Sequence, residues 1–239
     1  MQKLRDQDLQ IFRKKIDAID EKLIGLLEDR MKIINEVAIL KKEKKEKFFI
    51  RPNREADMIK NLINKPNLTF SKSVIIDIWR KIITTANMSE QKISIALHNP
   101  KNIVDYSYLI KKYYSDEIVI AEFKNAEDVI LEIKKDVTKI GVFACNSPEN
   151  WWINLAKNDD LKIFTRIPFT KSNNDKIELF AVASINPQAS IEDNSLFCIE
   201  LESKITSEEA SQKNDSDSLA QMDTATIRDA AAAWRKETI

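Results

Sequence analysis

The chain of 239 residues holds only two glycines, two cysteines and one histidine. At an average usage of roughly 7 %, about seventeen glycines would be expected. Chemistries built on glycine loops are therefore excluded. No G-x-G-x-x-G segment and no Walker loop is present, so dinucleotide and P-loop sites have no backbone to form them. An all-β fold rich in tight turns is not expected on the same ground, because hairpin turns need residues with φ > 0. Cys145 and Cys198 make no disulfide framework, and His98 is too little to complete a metal site with them. Charge of one sign is also lacking: 38 basic residues balance 38 acidic ones. A nucleic-acid partner gripped by a basic face is not expected. The start, Met1-Gln2-Lys3-Leu4-Arg5-Asp6, has no apolar core of a signal peptide. No run reaches the roughly 18 apolar residues of a membrane span. The expectation is a soluble cytoplasmic protein with neither nucleic acid nor membrane as partner.

What is present is charge and helical periodicity. Charged residues make up 32 % of the chain and hydrophobic residues 43 %. Apolar residues fall at Leu9, Phe12, Ile16, Ile19, Leu23 and Leu26, then at Ile33, Val37 and Leu40. Steps of three and four make this the seam of a helix packed against other helices. Asp6 or Asp8 is placed to cap it. From Asp8 to about Lys45 the helix would be roughly 57 Å long. That exceeds a small domain, so its far half needs a partner, most simply a second copy of the chain. Gly25 in its middle reads equally as a close helix approach or a tolerated defect. Phe48 to Pro52 breaks the helix. A short helix over 53–64 stops before Pro66. A third, from Val74 to about Gln91, is capped by Ser71 or Ser73. Its apolar face is Ile75, Ile78, Trp79, Ile82, Ile83 and Ala86.

After residue 91 the pattern alternates. Strands are predicted at 93–97, 118–123, 139–144, 162–165, 177–184 and 196–201. Helices are predicted at 103–114, 126–135 and 148–157, the last with Pro148 in its first turn. This is the signature of a small α/β domain over 92–202. Residues 203–218 read as a polar linker, and 223–236 as an alanine-rich tail that forms one helix or frays.

Several charges stand where a core should be. The seam of the first helix passes from Leu26 through Arg30 to Ile33. A guanidinium there must meet an acid or bind an anion, since unpaired burial is costly. Periodicity leaves both readings open. Arg13 and Lys41 flank the same seam; for Lys41, in a lysine-dense stretch, a solvated face is the plain alternative. Glu90 lies about 20° from Trp79 on the helical wheel, central in the third helix's apolar face. It is either a partner for a core arginine or a working group. Glu55 in a first turn complements the helix dipole, whereas Arg54 beside it does not. Arg13, Arg30, Lys41, Arg54, Glu55 and Glu90 together suit a small dianion.

These residues carry a resemblance. Leu9-x3-Arg13-x2-Ile16-Asp17-x-Ile19-Asp20, then Leu26-Leu27-x2-Arg30, Lys41, Pro52-x-Arg54-Glu55 and the helix ending at Glu90 resemble the all-helical AroQ-type chorismate mutases. The match covers residues 8–91 in order. It implies an all-α three-helix domain over 1–91, intertwined as a homodimer in which two long helices span both protomers. It implies conversion of chorismate to prephenate without metal or cofactor. By position, Arg13 would enter the partner's site, and Arg30 would bind one carboxylate of the substrate. Lys41 would contact the other carboxylate and the ether oxygen. Glu55 would hold the ring hydroxyl, Arg54 would line the site, and Glu90 would be the second donor to the ether oxygen. An ionised carboxylate only accepts, so Glu90 must be protonated for that role; burial and a dianionic substrate favour the protonated form. Three positions depart from the family. Arg51 replaces an aspartate near the ring hydroxyl, Ala86 replaces a serine on a carboxylate, and Glu90 replaces a common glutamine.

Residues 92–201 resemble, more weakly, the C-terminal region of longer alphaproteobacterial mutase-family proteins, itself similar to a degenerate prephenate dehydratase half-domain. Ile140-Gly141-Val142-Phe143, Trp151-Trp152 and Arg166-Ile167-Pro168-Phe169 carry this likeness. Thr165-Arg166 matches part of a Thr-Arg-Phe motif, with Ile167 in place of phenylalanine. This likeness implies a bifunctional mutase–dehydratase as one alternative; the departures at Arg51 and Ala86 motivate another, a dimeric chorismate-binding sensor without turnover.

Overall fold

The computed structural model describes residues 2–101, 105–170 and 177–191, with Asp193 and Leu196. The chain divides into two compact units, Met1–Ser195 and Leu196–Ile239. Apart from Leu196, the strand, linker and tail expected beyond residue 195 lie outside the described residues.

Helix α1, Gln2–Glu43, has 42 residues and is roughly 63 Å long at 1.5 Å per residue. It starts ahead of Asp6 and Asp8, so these lie inside it and do not cap it. Its end is a Schellman motif built without glycine. Lys45 takes a left-handed φ of 56°. The amide of Glu46 donates to the Lys41 carbonyl at 3.1 Å and that of Lys45 to Lys42 at 3.0 Å, satisfying carbonyls the helix end leaves free.

The apolar seam is not covered by the chain's own helices. Every described α1 residue from Asp8 to Asp29 is exposed, with Phe12 at 57 % and Leu26 at 66 %. Further along, Arg30, Met31, Ile34, Ala38 and Lys41 are covered by the chain itself. Spacings of four, four and three put Arg30, Ile34, Ala38 and Lys41 on one side of the helix.

Helix α2, Pro52–Ile63, opens with proline at its first position, where a missing N–H costs nothing. Helix α3, Lys72–Glu90, is capped by Ser71, whose hydroxyl accepts from the Val74 amide at 3.4 Å. Its buried face differs from the expected one. Ile78 is 42 % exposed, while Ile76, Arg80 and Thr84 are buried. The helix sits between two neighbours, α1 and α2 on one side and the α/β part on the other, so the apolar pattern alone did not define one face.

The α/β part forms strands β1 (Ser94–His98), β2 (Val119–Phe123), β3 (Lys139–Ala144), β4 (Lys162–Ile167) and β5 (Leu179–Ala183). They build one sheet of order β2-β1-β3-β5-β4, parallel across β2, β1 and β3 and antiparallel beyond. Its helices are α4 (Tyr106–Tyr113), α5 (Ala126–Lys135) and α6 (Trp151–Ala156). Pro148 lies ahead of α6 and not in its first turn. Alternate strand residues feed opposite faces. Ile95 and Leu97 pack with Ile110 of α4, whereas Ala96 packs with Val129 and Ile133 of α5. Gly141 of β3 is required there: a Cβ would lie 3.1 Å from Val129 Cγ1 and closer still to Ile133 Cδ1. Gly25 has open space around it in the single chain.

The helical and α/β parts share a core. Phe48 and Ile50, in the connector between α1 and α2, belong to the sheet's own apolar cluster. The Phe48 ring meets Phe164 of β4 edge-on, with centroids 6.1 Å apart. Burying this connector fixes the geometry in which α1 ends and α2 begins.

Candidate active site

The end of α1 and the end of α3 converge. Lys41 Nζ donates to Glu90 Oε2 at 2.5 Å, with side chains only 15 % and 4 % exposed. The same ammonium donates to the Phe49 carbonyl at 2.9 Å and lies 5.4 Å from the Phe49 ring centroid. Lys41 is thus not on a solvated face. The clip that holds this corner is Gln91. Its side-chain oxygen accepts from the Phe49 amide at 3.1 Å, and its nitrogen donates to the Lys47 carbonyl at 2.8 Å. Together these bonds lock the connector to the end of α3.

Arg30 lies on the same face of α1. Burial disfavours its charge, nearby Arg54 adds repulsion, and Glu90 partly offsets both, so its pKa is lowered. Its Nη1 is buried and has no hydrogen-bond partner. The internal salt bridge left open by the sequence is not found among the described residues. A buried donor without a partner costs about 1–3 kcal/mol, more when charged. An anion would relieve that cost. Arg54, in the first turn of α2, is exposed.

The structure does not bring every expected residue to this cluster. Arg13 is exposed on α1, roughly 42 Å along the helix from Lys41. It cannot reach the Lys41 site of its own chain. Arg51 is spent on the connector, ion-paired with Glu46 and donating to the Phe48 carbonyl at 3.2 Å. Ala86 is buried and offers no polar atom. Glu55 is buried, and both its oxygens are engaged: Oε2 accepts from Arg80 Nη1 at 2.9 Å and Oε1 from Asn87 Nδ2 at 2.8 Å.

Arg80, Asn87 and Gln91 were missed by sequence reasoning. Arg80 had a readable signal. Ile76, Arg80, Thr84 and Asn87 fall at steps of four, four and three, a second stripe on α3. That stripe is mixed in polarity, so apolar periodicity passed over it.

Residues 12–91 match the family described as chorismate mutase type II. The matched segment contains Arg13, Arg30, Lys41, Arg54, Glu55 and Glu90. Three curated relatives are named bifunctional chorismate mutase/prephenate dehydratase. The one from Pseudomonas aeruginosa is 24 % identical over 144 residues, 58 % of this chain and 39 % of its own length. That from Aquifex aeolicus is 24 % identical over 165 residues, 66 % and 45 % respectively. That from Stutzerimonas stutzeri is 22 % identical over 138 residues, 56 % and 38 %. The chain spans less than half the length of these relatives. No solved structure gives a significant match. Among the described residues, no helix is long and apolar enough to cross a membrane.

Proposed function

We propose that the chain is a chorismate mutase, rearranging chorismate to prephenate in aromatic amino acid synthesis, with residues 1–91 as its catalytic domain, 92–202 as an accessory α/β domain and the cytoplasm as its compartment. The observation that carries this reading is the unpartnered, buried Arg30 Nη1, within electrostatic reach of Glu90, in a segment that matches the mutase family. The substrate is a small dianion, and Arg30 is a cation still lacking its counter-charge.

The reaction is a concerted [3,3] shift. One C–O bond breaks and one C–C bond forms within a single molecule. No nucleophile takes part. The protein's work is to hold the reactive conformer and to stabilise the negative charge that grows on the ether oxygen. Arg30 takes a carboxylate. Lys41 is a cation fixed at the end of α1 and directed at the ether oxygen. Glu90, which accepts from Lys41, can donate to that oxygen only in its protonated form. Glu55 retains acceptor capacity for the ring hydroxyl, because a carboxylate offers about four lone-pair sites and two are used.

The active form is a homodimer. The exposed seam of α1 is too long and too apolar to face water, and a second copy would bury it with matching periodicity. Arg13, too far from its own site, is then placed to enter the partner's. Losses at Arg51 and Ala86 remove two contacts to the substrate but leave the cations.

The alternative of a second, dehydratase activity has support in the names of the relatives. Against it, the Thr165 hydroxyl is engaged by Tyr113 at 3.1 Å and Arg166 by Glu178 at 3.2 Å. Incubation of the full chain with chorismate separates the readings. Prephenate as the sole product supports the mutase. Phenylpyruvate at neutral pH above a no-enzyme control supports the bifunctional enzyme. Chorismate bound but returned unchanged supports the sensor.

A further inference from the structure

A line of buried polar contacts runs from the sheet to Glu55. Thr165 of β4 bonds the Tyr113 hydroxyl of α4 at 3.1 Å. The Tyr113 ring lies under the Arg80 guanidinium, 4.2 Å from its centroid. Arg80 donates to Glu55 at 2.9 Å. Arg80 and Tyr113 are buried. Burial disfavours the Arg80 charge, but Tyr113 and Glu55 outweigh it and raise its pKa. Burial raises the Tyr113 pKa, and the Arg80 charge opposes that rise. Glu55, Arg80 and Tyr113 line one cavity, and the line of contacts ends on Glu55.

We infer that Arg80, held over the Tyr113 ring by the α/β part, is a positioning residue that aims the Glu55 carboxylate at the ring hydroxyl of the substrate. The inference rests on the mutase reading and assigns the α/β part a place in it. Arg80 Nη1 fixes one carboxylate oxygen, Oε2, by a charged hydrogen bond. Asn87 holds the other oxygen from α3, so Glu55 has one orientation with acceptor capacity left. Tyr113 contributes in two ways, as the π-face that supports the cation and as the hydroxyl anchored to β4. Without that support Arg80 would be a buried cation free to leave Glu55.

The test uses the full chain with two substrates, chorismate and an analogue lacking the ring hydroxyl. Arg80→Met and Tyr113→Leu should each lower kcat/KM for chorismate by about tenfold or more, the scale of one lost hydrogen bond to a charged group. On the analogue both should act within about twofold of wild type, since Glu55 has nothing there to hold. Arg80→Lys should recover part of the chorismate rate. Equal losses on both substrates would make Arg80 a fold-stabilising residue only and overturn the inference. If Arg80→Met does not fold, Tyr113→Leu carries the same contrast. If the wild-type chain binds chorismate without turnover, the mutase reading fails separately, and the same contrast is read in Kd.

Discussion

Lys41 and Glu90 meet at 2.5 Å although 49 residues separate them. Their pairing joins the last turn of α1 to the last residue of α3 and brings a cation and a carboxyl to one corner. Replacing Lys41 by alanine removes the charge proposed to face the ether oxygen. The expected result is a fall in kcat of about 100- to 1,000-fold, the scale of one lost preorganised donor. Steady-state kinetics with circular dichroism of the folded chain check it.

Glu90 is tested by what replaces it. It accepts from Lys41, and the ether oxygen of the proposed substrate is also an acceptor, so that role needs a donor at this position. Glu90→Gln supplies a donor of the same shape and should keep kcat/KM within about tenfold of wild type, whereas Glu90→Ala should lose about 100-fold or more. A Gln variant as inactive as the Ala variant would contradict the assignment.

Arg30 separates function from stability. Burial and Arg54 disfavour its charge, and its Nη1 lacks a partner. Arg30→Ala should abolish turnover yet leave Tm unchanged or raised by about 1–2 °C. Mixing inactive Arg30→Ala with inactive Arg13→Ala should restore about a quarter of the wild-type rate, if subunits exchange at random and each site draws on both chains. No recovery after exchange would place Arg13 outside the site.

Gly141 tests the α/β part alone. Gly141→Ala drives a methyl group into Val129 and Ile133 and should cost about 1–3 kcal/mol by overpacking. Chemical denaturation measures the loss, while kcat/KM of the folded fraction should stay near wild type.

Much of this was legible in the sequence because helices write their packing as a period. The long α1, the short α2 behind Pro52 and the α3 capped by Ser71 were all readable, and so were the ends of α5 and β3. Arg30 stood out because a charge interrupted an apolar seam. What could not be read was mixed in polarity or made by loops. The seam pointed to a partner, but not to the side with Arg30, Ile34, Ala38 and Lys41 that the chain covers itself. Arg51 looked like a site residue by position, yet its guanidinium is used up by Glu46 and the Phe48 carbonyl. Arg80 left no trace in apolar periodicity, because its burial depends on Tyr113, distant in sequence, and on Glu55. The shared core of Phe48, Ile50 and the sheet was likewise hidden: a connector of apolar residues says that it is buried, not against what.

The most direct measurement is chorismate absorbance followed with the full wild-type chain beside Arg30→Ala at equal folded concentration. The account predicts steady loss of chorismate with stoichiometric prephenate for wild type, and a rate indistinguishable from the no-enzyme control for the variant. Chorismate that persists with the wild-type chain, or turns over equally with both, would contradict it.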